Sequence, residues 1–237
     1  MPSTGRRIPP VPNEVTIPGR HLMNLSIIKH IAQTEMGDKR SSPYNERGDK
    51  YAHGERVAEL ALRFSRLILP NEKINHDILT VAAWFHDICN GTGDRVDHAL
   101  LGAERIRELL AGHCTEGELD GICGIIAVHD NRKPGDKEVP DIVKLHQDAD
   151  HLDHFGTFDI WRLAAYTIGH DETINDALDF LQTKWPGENA GWRTELHFDL
   201  SRQIYDEKTE YMKLFIERFA VEGSGGIWNK NGRIKGL

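Results

Sequence analysis

The sequence predicts an all-α fold. Apolar residues recur at steps of three and four through most of the interior, and no stretch alternates apolar and polar residues convincingly. No segment repeats another. With 237 residues and 39% hydrophobic content, the chain is sized for one compact domain or at most two small ones. The division expected is an extended arm at 1–20, a single helical domain at 21–221 and a flexible glycine-rich tail at 222–237.

Pro2, Pro9, Pro10, Pro12 and Pro18 make the arm extended rather than packed. A first helix is expected from about His21 to Met36, carried by Leu25, Ile28 and Ile31, before the polar loop GDKRSSPYNERGDK. The second runs from Tyr51 to Leu69 on Val57, Leu60, Ala61, Phe64, Leu67 and Ile68, and Pro70 closes it. A third, capped by Asn75, spans about His76 to Cys89; its centre ILTVAAWF is apolar nearly all round, which marks it as the core helix. From His98 to Ala111, one face collects Ala99, Ala103, Ile106 and Leu110, with Gly102 permitting close approach. Thr115 and Glu118 form a capping box ahead of Leu119, Ile122, Cys123 and Ile126. Segments 140–155, 158–168, 173–185 and 195–221 are also helical in pattern.

Charge narrows the function. The chain holds 29 Lys+Arg against 37 Asp+Glu, a net charge of -8, so it lacks the basic surface that a long nucleic acid requires. No run of 18 apolar residues exists and MPSTGRRIPP is no export signal, so a soluble, cytoplasmic protein without membrane partners is expected. Cys89, Cys114 and Cys123 are odd in number and lack CxxC spacing, against a disulfide framework or a cysteine zinc site. Nothing in the sequence sets the oligomeric state.

Histidines number 13, and their placement matters more than their count. His53 lies four residues before Val57 and so projects from the inward helix face. His86 and Asp87 end the core helix, and Asp150 sits in LHQDADHLDHFG between Ala149 and Leu152. A buried carboxylate is expensive unless something positive neutralises it. No Lys or Arg adjoins either aspartate in sequence, although a distant one can approach in space; a divalent cation would serve. The mixed nitrogen and oxygen donors suit Mn, Fe, Co, Ni or Zn. On these residues alone, scattered structural histidines compete with a metal centre.

The strings HGERV at 53–57, WFHDI at 84–88 and DADHL at 148–152 resemble the HD-domain superfamily of metal-dependent phosphohydrolases, over roughly residues 49–162. The resemblance implies a helical bundle of the HD-domain type whose H…HD…D ligands are His53, His86, Asp87 and Asp150, with Asp148 outside the set. It further implies that His98 and His129 hold a second ion or substrate phosphate, so that one or two ions bind, Asp87 bridging if there are two. The implied reaction is hydrolysis of a phosphate ester or anhydride in a small molecule, a nucleotide foremost. Many relatives carry arginine where His151 stands. Two other readings fit the same ligand set: a di-iron oxygenase, and a nucleotide-binding sensor without turnover.

Around this set, Arg56 is read either as a phosphate contact or as an ordinary ion pair, and Lys50, Arg132 and Lys133 as phosphate-steering cations. Asp94 and Asp97, in the loop NGTGDRVD at 90–97, are candidate general bases. His146 and His154, one turn either side of Asp150, are read as solvated or core residues ahead of a role beside the ligands. Arg162 either buttresses the site or does not.

Overall fold

Ten helices follow one another through the residues that the computed structural model describes, 23–91, 98–135 and 137–230, and no strand lies among them. They are α1 (Leu25–Met36), α2 (Asp49–Ile68), α3 (His76–Phe85), α4 (His98–Leu109), α5 (Glu116–Ile126), α6 (Asp141–Asp153), α7 (Thr157–Gly169), α8 (Ile174–Thr183), α9 (Trp185–Arg193) and α10 (Asp199–Gly223). The arm expected at 1–20, Asp94 and Asp97, and residues 231–237 of the tail lie outside the described residues. No described helix is long and apolar enough to cross a membrane.

Several ends differ from the periodicity for local reasons. α1 begins after Asn24, whose side chain accepts from the Ser26 and Ile27 backbone N–H groups, rather than at His21. α3 stops at Phe85, short of the expected Cys89, because the chain tightens into turns in which Ile88 N–H donates to Phe85 O and Asn90 N–H to Asp87 O. His86 and Asp87 therefore stand just past the helix rather than in it. The capping box of Thr115 and Glu118 is present at the start of α5. The sequence reading misses α9, since Pro186, Gly187 and Gly191 look like breakers; yet proline suits a first turn, where its missing N–H would have no helical partner, and Trp185 anchors the helix in the interior. α10 extends two residues into the expected tail.

The core gathers around α3, buried continuously from Leu79 to Phe85. α2 packs along both α3 and α6, α5 covers α3, and α4 lies on α5. Val57, Ala61, Phe64, Ile122, Ile126, Leu145 and Ala149 fill the space between them; each fully buried large apolar side chain contributes about 1.5–3 kcal/mol. Leu181, Trp185 and Met212 form a smaller cluster in α8, α9 and α10. α2 approaches α3 closely at Gly54, where a Cβ would stand 2.7 Å from Trp84 O and 3.0 Å from Ala83 O. At Gly102, where close approach is expected from sequence, a Cβ would meet Ile126 and His86 at ordinary distances of 3.4 and 3.6 Å.

Candidate metal centre

Three helices, α2, α4 and α6, and the ends of α3 and α5 bring one cluster of imidazoles and carboxylates into the interior. His86 follows α3, where the last carbonyls have no helical partner. Its Nδ1–H donates to Ala83 O at 2.9 Å, which turns Nε2 inward. That Nε2 is buried with no hydrogen-bond partner among the described residues, 3.4 Å from Asp150 Oδ1 and 3.9 Å from Asp87 Oδ2. His129 repeats the device at the end of α5: its Nδ1–H donates to Ile126 O at 2.7 Å, and Nε2 faces Asp87 Oδ1 at 3.6 Å. His98 opens α4 with Nε2 3.1 Å from His129 Nε2 and 3.7 Å from Asp87 Oδ1. His53, in α2, places Nε2 3.1 Å from Asp150 Oδ1 and Nδ1 2.8 Å from Asp153 Oδ2.

Ring nitrogens and carboxylate oxygens thus face one another across short gaps, an arrangement that a proton or a cation must bridge. The residues fit a divalent ion on that ground. Donor atoms of His53, His86 and Asp150, and likewise of His86, Asp87 and His129, lie within 4.8 Å of one another. The electrostatics agree. Burial works to lower the His53 imidazole, but hydrogen bonds to Asp150 and Asp153 overcome it and raise the group to about 10. Burial works to raise Asp87 and Asp150, yet the surrounding imidazoles, and Arg132 beside Asp150, hold both well below the usual carboxylate range.

The cations are placed differently from the sequence reading. Lys50 is only 4% exposed and donates to Asn90 O at 2.5 Å and Ile88 O at 3.5 Å, so it braces the turn that carries Asp87 and is no surface guide for phosphate. Arg56 makes the ion-pair choice: its Nε and Nη2 reach Asp153 at 2.8–3.1 Å, and its guanidinium lies 4.1 Å over Phe158. Arg132 reaches Asp150 Oδ2 with Nη2 at 2.5 Å, the distant cation that no local spacing reveals. Lys133 and Arg162 are exposed. Asp148 accepts from the backbone N–H groups of His197 and Phe198 at 2.8 and 3.1 Å and serves the approach to α10.

His146 and His154 belong beside the ligand set. His146 is fully buried, with both ring nitrogens lacking partners among the described residues, and meets His86 edge-on at 5.1 Å between ring centroids. His154 stacks on His53 at 4.9 Å and brings Nε2 to 3.7 Å from Asp150 Oδ1, so it is not simply solvated. Asp153 escapes the sequence reading altogether, although its position three residues after Asp150 puts it on the same helix face.

One known family's model spans these residues. The family model for the HD domain matches residues 51–154, a span that contains all six residues of the H…HD…H…H…D pattern. Residues 51–154 form an HD domain. Solved structures share the HD fold. A predicted HD superfamily hydrolase from an uncultured Thermotogales bacterium is 22% identical, covers 85% of this chain and 94% of its own, and has a TM-score of 0.57. An HD-superfamily hydrolase from Bacillus thuringiensis is 22% identical, with coverage of 84% and 97% and a TM-score of 0.58. Bacillus subtilis YpgQ in complex with ADP is 20% identical, with coverage of 83% and 93% and a TM-score of 0.59. Curated proteins yield no match.

The raised His53 pKa gives the metal-free HD domain a pH signature. A group raised from 6.5 to about 10 on folding stabilises fully below pH 6.5, and that contribution is lost as pH rises through about 10. In excess chelator, the urea midpoint is expected to fall between pH 6.5 and 10, and His53→Gln to remove most of that fall. A midpoint independent of pH over this window would refute the assignment. An ion held by His53 would show the opposite dependence, its affinity rising with pH because it would displace the proton.

Proposed function

We propose that the protein hydrolyses a phosphate ester or anhydride of a small molecule, a nucleotide foremost, using a divalent ion held by His53, His86, Asp87 and Asp150. The observation that carries this reading is the buried, unpartnered His86 Nε2 aimed at Asp150 among further imidazoles. Mn, Fe, Co, Ni and Zn all match these donors. Such an ion, when bound, lowers the pKa of water and polarises the phosphoryl oxygen.

The chain's own residues supply orientation. Ala83 O and Ile126 O fix His86 and His129 with their Nε2 atoms inward. Asp87 turns Oδ2 towards His86 and Oδ1 towards His98 and His129, which supports a second ion, or substrate phosphate, on the latter pair. Lys133 is the one steering cation of the sequence reading that is exposed; Lys50, Arg56 and Arg132 are engaged as described. A nucleotide is supported by the ADP in the similar YpgQ structure. Asp94 and Asp97 are kept as candidate bases on their place in the sequence just before His98.

Protein purified without chelator is expected to carry divalent metal and to release phosphate or pyrophosphate from nucleotides with Mn, Co or Ni, and chelation is expected to stop the release. Product formed only with reduced iron and oxygen would favour the oxygenase reading. Tight nucleotide binding with no turnover under any metal would favour the sensor.

A further inference from the structure

His53 differs from its partner imidazoles in how its ring is held. His86 and His129 stand just past the ends of α3 and α5 and borrow carbonyls, Ala83 O and Ile126 O, that the helices leave open. His53 lies within α2, where the neighbouring carbonyls already accept helical N–H groups. Its Nδ1–H is met instead from another helix, by Asp153 Oδ2 at 2.8 Å. Asp153 is only 7% exposed, and a carboxylate so buried needs a partner of opposite charge. Arg56 provides it, with Nε 2.9 Å from Oδ1 and Nη2 2.8 Å from Oδ2, and Phe158 beneath the guanidinium at 4.1 Å.

The register is reciprocal. α2 offers His53 and Arg56 one turn apart, α6 offers Asp150 and Asp153 one turn apart, and the packed helices bring the two pairs together. We infer that Asp153 and Arg56 are positioning residues for the metal site: Arg56 fixes the Asp153 carboxylate, and Asp153 holds His53 in the tautomer that presents Nε2 to the ion. The opposite tautomer would set the Nδ1 lone pair against the Asp153 carboxylate. A carboxylate behind a ligand imidazole also raises its basicity, as a backbone carbonyl does less strongly. This inference rests on His53 being a ligand, and it removes Arg56 from the candidate phosphate contacts.

The test is titration of metal-free protein with Co(II), followed by its visible spectrum, with no substrate present. Asp153→Ala is expected to weaken Co(II) binding by about 10–100-fold, the usual range for loss of a ligand's supporting partner. Asp153→Asn keeps the shape and a neutral acceptor, and is expected to fall between Asp153→Ala and the wild type. Arg56→Ala is expected to weaken Co(II) as well, and Arg56→Ala combined with Asp153→Ala to be no worse than Asp153→Ala alone, since both act through His53. Folded Asp153→Ala and Asp153→Asn proteins with wild-type Co(II) affinity would overturn the inference. So would an Arg56→Ala protein whose Co(II) affinity is intact while KM rises, the mark of a phosphate contact. A wild type that takes up no Co(II) would overturn the ligand assignment itself. Co(II) uptake without phosphate release would overturn only the hydrolase reading and would sustain this one if the variants behave as stated.

Discussion

Asp150→Ala is expected to lose the metal and, in the metal-free state, about 3–5 kcal/mol of stability, because it strips the partner from buried charges. Arg132 holds one oxygen of this carboxylate, while His53, His86 and His154 converge on the other at 3.1, 3.4 and 3.7 Å. Arg132 would be left without its carboxylate partner, and His53 would keep only Asp153. Metal analysis and urea unfolding in chelator measure the two losses separately. Asp150→Asn retains the volume and some hydrogen bonding, so it is expected to lose metal with a smaller loss of stability. Wild-type metal content in both variants would remove Asp150 from the ligand set.

Gly54→Ala is expected to destabilise the protein by about 1–3 kcal/mol, although alanine favours helix by about 1 kcal/mol in an open position. Its Cβ would press on the backbone carbonyls of Trp84 and Ala83, which have no rotamer by which to yield. α2 must move from α3, and the displacement passes directly into the site: His53 precedes Gly54, and Ala83 O is the acceptor that orients His86. Phosphate release is expected to fall by about 100-fold, the scale of an ångström misplacement. Gly121→Ala is the control, since its Cβ meets side-chain rather than backbone atoms, Ile78 Cδ1 at 2.9 Å and Cγ2 at 3.2 Å. Thermal unfolding of the two variants compares them; equal melting temperatures would show that the contact at Gly54 yields freely.

Much of the helical architecture is legible from periodicity because burial on one face demands it, as in α2 and α5. The failures occur where backbone geometry decides. α3 ends at Phe85 since turns compete with one more helical step, and α9 forms because its proline falls in a first turn. At the site, the residues of the H…HD…H…H…D pattern are visible as residue types, and the structure brings them together. Their supports are not visible. Arg132 and Asp150 lie 18 positions apart, and Arg56 and Asp153 lie 97 apart, so no local spacing encodes either pair. Lys50, Arg56 and Arg132 look available for phosphate in sequence because proximity to ligand-bearing segments is all that a sequence displays. In the fold, carbonyls and carboxylates from other elements have already claimed them.

The 97-residue separation between His53 and Asp150 also sets an order of events during synthesis. At about 5–20 residues per second, α6 leaves the ribosome roughly 5–20 s after α2. Through that interval the nascent chain has His53 and His86 but lacks the carboxylate on which both converge, so an ion arriving early finds a fragmentary cradle. Capture in the final geometry must await the docking of α6 against α2. Under the proposed ligation, capture of the ion and the docking of α6 against α2 are coupled.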